Sequence, residues 1–266
     1  MGHISGKAGS VFLSSYLIED CEDAWNEQTI TYVTASLDST DYKVGSGSAK
    51  FAVTGDFGTG VIGSEVVSLD LTACNGITAW VKSSVALDAS DWSILTDESD
   101  DMVSPQTFNV PALVAGAWTF ITVDKTMSGT DYDTVIRVGL NQNVDKGAMN
   151  FWIDDLRGYK AEAGIKSWTV DYTADTLETT DFGSAGVKEY VIAGSSWAGT
   201  FEGYKDGAPL TIGQQYGIKL YESATSTQIW TGYVLITGAH PSVGIDGVVS
   251  YTYDYQGTGA LVPATT

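Results

Sequence analysis

Large apolar side chains in this chain recur at every second position, without the three-to-four-residue spacing of a helix face. In residues 164–204, Trp168, Val170 and Tyr172 alternate with Thr169 and Asp171, which sets three large side chains on one face of a strand. Residues 187–192 form a second such run. In a third, Trp197, Gly199, Phe201 and Gly203 share a face. Residues 175–186 lie between the first two and are rich in Thr, Asp and Gly, so they read as a long polar connection. Further strands are predicted at 216–221, at 228–237 with Trp230, Val234 and Ile236 on one face, and at 247–255 with Val249, Tyr251, Tyr253 and Tyr255 on one face. Upstream, strands are predicted at 3–13, 77–81, 117–123, 135–140 and 150–159, and a Gly/Ser turn followed by a strand at 42–53. Trp80, Trp118 and Trp152 fall inside these patterns and are expected in a core. Pro209 breaks any ladder in 206–213, and 257–266 reads as a small, polar tail. The pattern predicts an all-β protein.

Size and charge divide this picture. At 266 residues the chain exceeds the usual single domain, so two domains are expected. Residues 14–160 carry 22 acidic and 8 basic side chains and five of the eight tryptophans, whereas the remainder carries 11 acidic and 5 basic. That contrast suggests one domain spliced into another. The formal charge of −20 excludes a general nucleic-acid-binding surface, which needs clustered Lys and Arg to neutralise phosphates. No run reaches the roughly 18 apolar residues of a membrane span. The first residues lack a basic segment followed by an apolar core, so a chain made in and retained by the cytoplasm is expected.

Catalytic chemistry finds little support. His3 and His240 are the only histidines, and His240, before Pro241, reads as a solvated turn residue rather than a base for a nucleophile. Phosphate-binding glycine loops and zinc-protease motifs are absent. Acidic pairs abound, so a pair suited to glycoside hydrolysis carries no information; the acidic run Asp97, Glu98, Asp100 and Asp101 reads as a solvated loop. An enzyme is not expected. Cys21 and Cys74 make neither a disulfide framework nor a zinc site; they are expected as buried thiols, with a bond between them open outside the cell.

The order of residues is more specific than their pattern. SWTVDYTADTLETTDFGSAG (167–186), KEYVIAGSSWAGTFEGYKDGAPLTIG (188–213), GTGAL (257–261) and HISGKAGSVFL (3–13) together resemble the major tail tube proteins of long-tailed bacteriophages. The resemblance implies a structural virion protein, assembled in the host cytoplasm and resident in the virion tail. Six subunits would form a ring, and rings would stack into a tube with a negatively charged bore that conducts DNA without specific binding. Other tail proteins would be further partners. In that pattern the first strand is followed almost at once by a partner beginning at Gly164, but here residues 14–160 intervene. Within them LIEDCEDAW (17–25), VGSGSAKFAV (44–53) and FWIDDLRGY (151–159) are similar to jelly-roll β-sandwiches of carbohydrate-binding modules. In that architecture the first and last strands are adjacent, which suits insertion into a host hairpin.

The expected architecture is therefore a tail-tube-type β-sandwich or barrel domain, 1–13 with 161–266, interrupted by a jelly-roll domain, 14–160, that points away from the bore. The long polar connection nominates Thr176, Glu178, Thr180, Asp181 and Phe182 for contacts between rings. The module resemblance implies a structural Ca2+, not required for function, at Asp20, Glu22, Asp154 and Asp155 with carbonyls of the turn at 45–48. Trp92 and Tyr132, in polar, loop-like contexts, are the candidates for stacking on cell-surface glycans. A different class of function, a two-domain glycan-binding adhesin, accounts for the insert but not for the GKAGSV opening.

Overall fold

The computed structural model describes residues 9–27, 31–204, 209–223, 228–245 and 247–265. The fold is all-β, with its strands in antiparallel ladders. Among the described residues the helical segments are a single turn at Thr130–Asp133 and a 3-10 turn at Phe182–Ser184, both too short for a periodic signal. The chain forms two compact units, Ser14–Lys160, and Met1–Leu13 together with Ala161–Thr266. It leaves the second for the first within β1 (Ser10–Glu19).

The unit Ser14–Lys160 is a sandwich of two antiparallel sheets. Its strands are the part of β1 at 14–19, which neighbours β11, with β2 (Asn26–Glu27), β3 (Val33–Asp38), β4 (Ser48–Val53), β5 (Gly60–Leu69), β6 (Gly76–Ser83), β7 (Trp92–Asp97), β8 (Gln106–Asn109), β9 (Thr119–Asp124), β10 (Val135–Gln142) and β11 (Met149–Ala161). One sheet runs β3-β4-β11-β6-β9, the other β2-β5-β10-β7-β8. Alternation decides which side chains enter between them: Ala49, Phe51 and Val53 from β4, Ala79 and Val81 from β6, Phe151 and Ile153 from β11. They meet Ile62, Ile94, Phe108 and Leu140 from the facing sheet, and the Trp92 and Phe151 rings stack 4.2 Å apart. Burying side chains of this size contributes about 1.5–3 kcal/mol each.

The second unit is built on one sheet. Strands β12 (Ile165–Glu178), β13 (Tyr190–Tyr204), β14 (Gln215–Tyr221), β15 (Gln228–Ser242) and β16 (Ser250–Thr265) run in the order β12-β13-β16-β15-β14, and Ser10–Leu13 of β1 pair with β14. Val11, Leu13, Trp197, Phe201, Ile218, Val234, Ile236 and Tyr255 form the core. Trp197 lies across β15 and β16 where Gly232 and Gly257 leave room; a Cβ at either position would come within 2.4 and 2.0 Å of the indole. Its N–H donates to Gly259 O at 3.0 Å.

Four expectations are corrected here. Residues 175–178 are not loop: the β12–β13 ladder continues to Glu178↔Tyr190. The two strands predicted at 187–192 and 197–203 are one strand, β13, because small residues 193–196 maintain pairing without a buried face. The tail is β16, with Pro263 opposite Trp230. The partner of the first strand is β14 (Val11↔Leu220), while the segment after the insertion touches it through Glu162 N–H donating to Val11 O at 2.9 Å.

Candidate functional site

The most distinctive feature of the second unit is the distal half of the β12–β13 hairpin. From Asp171 to Ser196 every residue is exposed, Ser184 being undescribed, so beyond the core at Trp168, Val170 and Trp197 no layer of described residues packs on either face of the hairpin. The ladder from Asp171 to Glu178 extends this arm roughly 25 Å at the rise of a β-strand. Leu177 and Val191 stand opposite each other, and Tyr190 and Ile192, one position to either side, lie on the other face. Of the nominated contact residues, Thr176 and Glu178 are strand residues, whereas Thr180, Asp181 and Phe182 form the tip. The tip is ordered by its own bonds: Asp181 Oδ1 accepts Gly183 N–H at 2.7 Å, Thr180 Oγ1 accepts Glu189 N–H at 3.0 Å, and Lys188 pairs with Glu178 at 2.8 Å. Phe182 is fully exposed. Of the described strands, β12 pairs only with β13, which leaves its outer edge open.

The face of this sheet opposite the core is polar. Thr169 faces Thr200 at 3.0 Å, and Asp171, Thr173, Glu202, Thr252 and Asp254 lie on the same side by register. His240 belongs to β15 rather than to a turn, opposite Thr252, with Nε2 2.8 Å from Asp254 Oδ2. At the β15–β16 turn Val243, Ile245 and Val248 are exposed.

The four carboxylates nominated for Ca2+ are not gathered as a set. Glu22 accepts Ser46 N–H at 2.9 Å and the Ser46 hydroxyl at 2.5 Å, which hold it below its usual range against the desolvation it feels. Asp155 pairs with Arg157 at 2.6 Å, and Asp20 caps Glu22 N–H at 3.2 Å from an exposed position. Among the described residues no three His, Cys, Asp or Glu side chains are placed to hold a metal. Asp154 differs from the other three. It is fully buried; Oδ2 accepts Lys43 and Val44 N–H at 2.6 and 2.9 Å, while Oδ1 has no partner. Burial pushes its carboxyl up to about 7 against those two bonds, with the charges of Asp155 and Glu22 adding to the rise. Asp154 is thus a buried carboxylate with one bare oxygen, and Glu22 is close enough for its charge to act on it. Glu19, which the sequence did not single out, is likewise pushed up to about 7 by burial.

Trp92 and Tyr132 are corrected as stacking rings. Trp92 is fully buried against Phe151 and Tyr132 is buried in the same core, so neither offers a face to a sugar. The aromatic surface lies on the other side of the β3-β4-β11-β6-β9 sheet, in residues expected to be core. Trp80 packs on Phe120 at 5.3 Å with Lys43 over its ring; Trp118 donates its indole N–H to Asp41 at 2.7 Å. Trp152 donates to Asp38 at 3.0 Å and carries Lys50 and Lys82 over its ring. Asp41 in turn pairs with Lys82. Trp80 and Trp118 are half-buried, Trp152 nearly covered. Asp97, read as a solvated carboxylate, is buried and accepts Ser99 and Ser104 N–H. Cys21 and Cys74 are free and buried, their thiols pushed up by desolvation, Cys74 to about 11.

No family model and no curated protein sequence matches the chain. Among solved structures it is similar to the tail of an empty GTA particle refined with C6 helical symmetry (20% identity, 41% of this chain and 87% of that one, TM-score 0.35). It is also similar to a family 30 carbohydrate-binding module (14% identity, 48% and 84%, TM-score 0.33). A third likeness is to the CBM22-1–CBM22-2 tandem of Xyn10C from Paenibacillus barcinonensis (13% identity, 98% and 87%, TM-score 0.36). These likenesses are too slight to carry a function. No helix among the described residues is long and apolar enough to cross a membrane.

Proposed function

We propose that this protein is a structural subunit of a phage tail tube, a homo-oligomer of stacked rings, six subunits to a ring on the resemblance of its sequence. The observation that carries the reading is the β12–β13 arm. An unsupported two-stranded hairpin is marginal in water, and this one shows apolar side chains on a surface with nothing beneath it. A second copy supplies the missing layer, and the open edge of β12 supplies a place for lateral pairing that a closed ring would satisfy. The polar face with Asp171, Glu202 and Asp254 suits a bore past which DNA moves without adhering, since it offers carboxylates and hydroxyls to phosphates. No catalytic step belongs to this reading.

Two further parts concern the unit Ser14–Lys160. It would bind glycans through the outer face carrying Trp80, Trp118 and Phe120, where Asp41 accepts the Trp118 indole N–H and Lys43 lies over the Trp80 ring. A structural Ca2+ would rest on Asp154 and Glu22, supplying positive charge to a buried oxygen without a partner.

Electron microscopy and sedimentation of the full chain test the central claim. Rings or filaments are expected from the wild type, and folded monomers from a variant with 176–191 replaced by Asn-Gly. Wild-type protein that stays monomeric under every assembly condition overturns the proposal.

A further inference from the structure

The aromatic face of the unit Ser14–Lys160 is built on a cross-strand row in which lysines and tryptophans alternate. Lys50 of β4 lies opposite Trp152 of β11, and Trp152 opposite Lys82 of β6. Trp118, one residue before β9, continues the row, since Val81 pairs with Thr119. The Lys50 and Lys82 ammonium groups stand over the Trp152 ring at 5.1 and 4.9 Å. Each also has a carboxylate: Lys50 pairs with Asp38, and Lys82 with Asp41. The same two carboxylates accept the indole N–H groups of Trp152 and Trp118. Asp38 and Asp41 are therefore consumed within the face. In the next row Asp154, opposite Trp80, is buried and bonded to the Lys43 and Val44 N–H groups.

Lys43 breaks this bookkeeping. Its side chain is exposed, and among the described residues its ammonium makes no ion pair. It lies 5.1 Å over the ring of half-buried Trp80, which packs on Phe120. In a unit with 22 acidic and 8 basic side chains, solubility is already served by the surplus of carboxylates and does not call for this cation among aromatic rings. We propose that the face takes an acidic saccharide, whose sugar rings stack on the half-buried aromatic side chains and whose carboxylate pairs with Lys43. This rests on the glycan-binding reading and names the class of glycan. A neutral sugar laid on Trp80 has to displace the ammonium and gives it no charge in return. A sugar carboxylate replaces the ring with a charge-assisted hydrogen bond. The net charge of −20 opposes an anion at a distance, but at physiological ionic strength that field is screened over about 8 Å, so the cation in contact decides.

The affinity of the full chain for oligogalacturonate and oligomannuronate tests it, each measured at physiological salt beside its methyl ester and beside neutral xylo- and cello-oligosaccharides. Esterification removes the charge and keeps the sugar ring. At least one of the two acids is expected to bind about tenfold or more tighter than its ester; Lys43→Met is expected to bring the two within about threefold, and Lys43→Arg to keep the gap. Lys43 is exposed and its bond to Asp154 comes from the backbone N–H, so both variants are expected to melt as the wild type does. Esters or neutral sugars bound as tightly as the acids, or a preference for acid unchanged in Lys43→Met, overturn the assignment while leaving the glycan reading intact. Polyglutamate bound as tightly as the acids also overturns it, as attraction for any polyanion. A chain that binds none of these sugars removes both.

Discussion

Replacing Asp154 with Asn is expected to reduce the pH dependence of stability in the unit Ser14–Lys160. The carboxyl is raised on folding from 3.8 to about 7, chiefly by burial. Between those values the folded chain keeps a proton that the unfolded chain has released. The associated stability is full below about pH 4 and is lost as pH rises through 7. At about 1.4 kcal/mol for each pH unit between the two values the whole effect is about 4 kcal/mol, of which about 2.5 falls between pH 5 and pH 8. Asn keeps a carbonyl oxygen for the Lys43 and Val44 N–H groups and does not titrate. Glu19 titrates in the same window but in both proteins, so it cancels in the comparison. Asp38, Asp41, Glu22 and Asp70 are lowered, and they act at lower pH. Urea unfolding followed by tryptophan emission reads this unit, which holds five of the eight tryptophans. The gap in stability, Asp154→Asn minus wild type, is expected to widen by about 2.5 kcal/mol from pH 5 to pH 8. Millimolar Ca2+ at pH 8 is expected to stabilise the wild type and leave the variant unchanged. Parallel stability curves between pH 5 and pH 8 would refute the assignment of the buried, unpaired oxygen.

Gly257→Ala places a methyl group within the indole of Trp197 and is expected to cost about 1–3 kcal/mol, read as a lower urea midpoint for the unit containing Trp197. Trp118→Ala is expected to weaken binding on a glycan array by about tenfold or more, while Trp92→Ala instead lowers the unfolding midpoint, since that ring is core. Neither thiol is expected to react with an aromatic disulfide reagent at pH 8 until denaturant is added, because both are buried with pKa values raised above the ordinary thiol range; rapid native labelling would contradict the placement of Cys21 and Cys74.

What the sequence disclosed was largely which segments are strands, and what it concealed was which face of each strand looks inward. In β11 the run Phe151-Trp152-Ile153 is apolar on both faces, so alternation alone cannot say that Phe151 and Ile153 enter the core and Trp152 lies outside it. The same holds for Trp80 between Ala79 and Val81. The answer depends on where the second sheet packs, and β5, β7 and β8, which belong to it, lack the alternation that would announce them. Every position of β7 is buried, Ser93, Thr96 and Asp97 included. Trp92 reads as polar and loop-like for the same reason: its neighbours Asp91 and Ser93 are polar but buried. Asp154 is legible as an acid at the close of the unit, but not as the one of four with a buried oxygen left unpaired.

The arm is the reverse case. Residues 173–186 look like a loop because polarity reports burial, whereas pairing into a ladder requires only backbone groups. Once the ladder is known, the apolar residues on it become anomalous. A spacer of the same length would be served by Thr and Ser throughout, yet Leu177 and Val191 face each other on one side and Ile192 stands on the other, all exposed. Replacing these three by Thr, Thr and Ser keeps strand-compatible side chains and removes apolar surface that the monomer does not bury. The monomer's melting temperature is therefore expected to stay within a degree or two, roughly the effect of an exposed substitution, while assembly measured by sedimentation is lost. If the triple variant assembles as well as wild type, the apolar surface of the arm is incidental and the contact must be sought along the open edge of β12 instead.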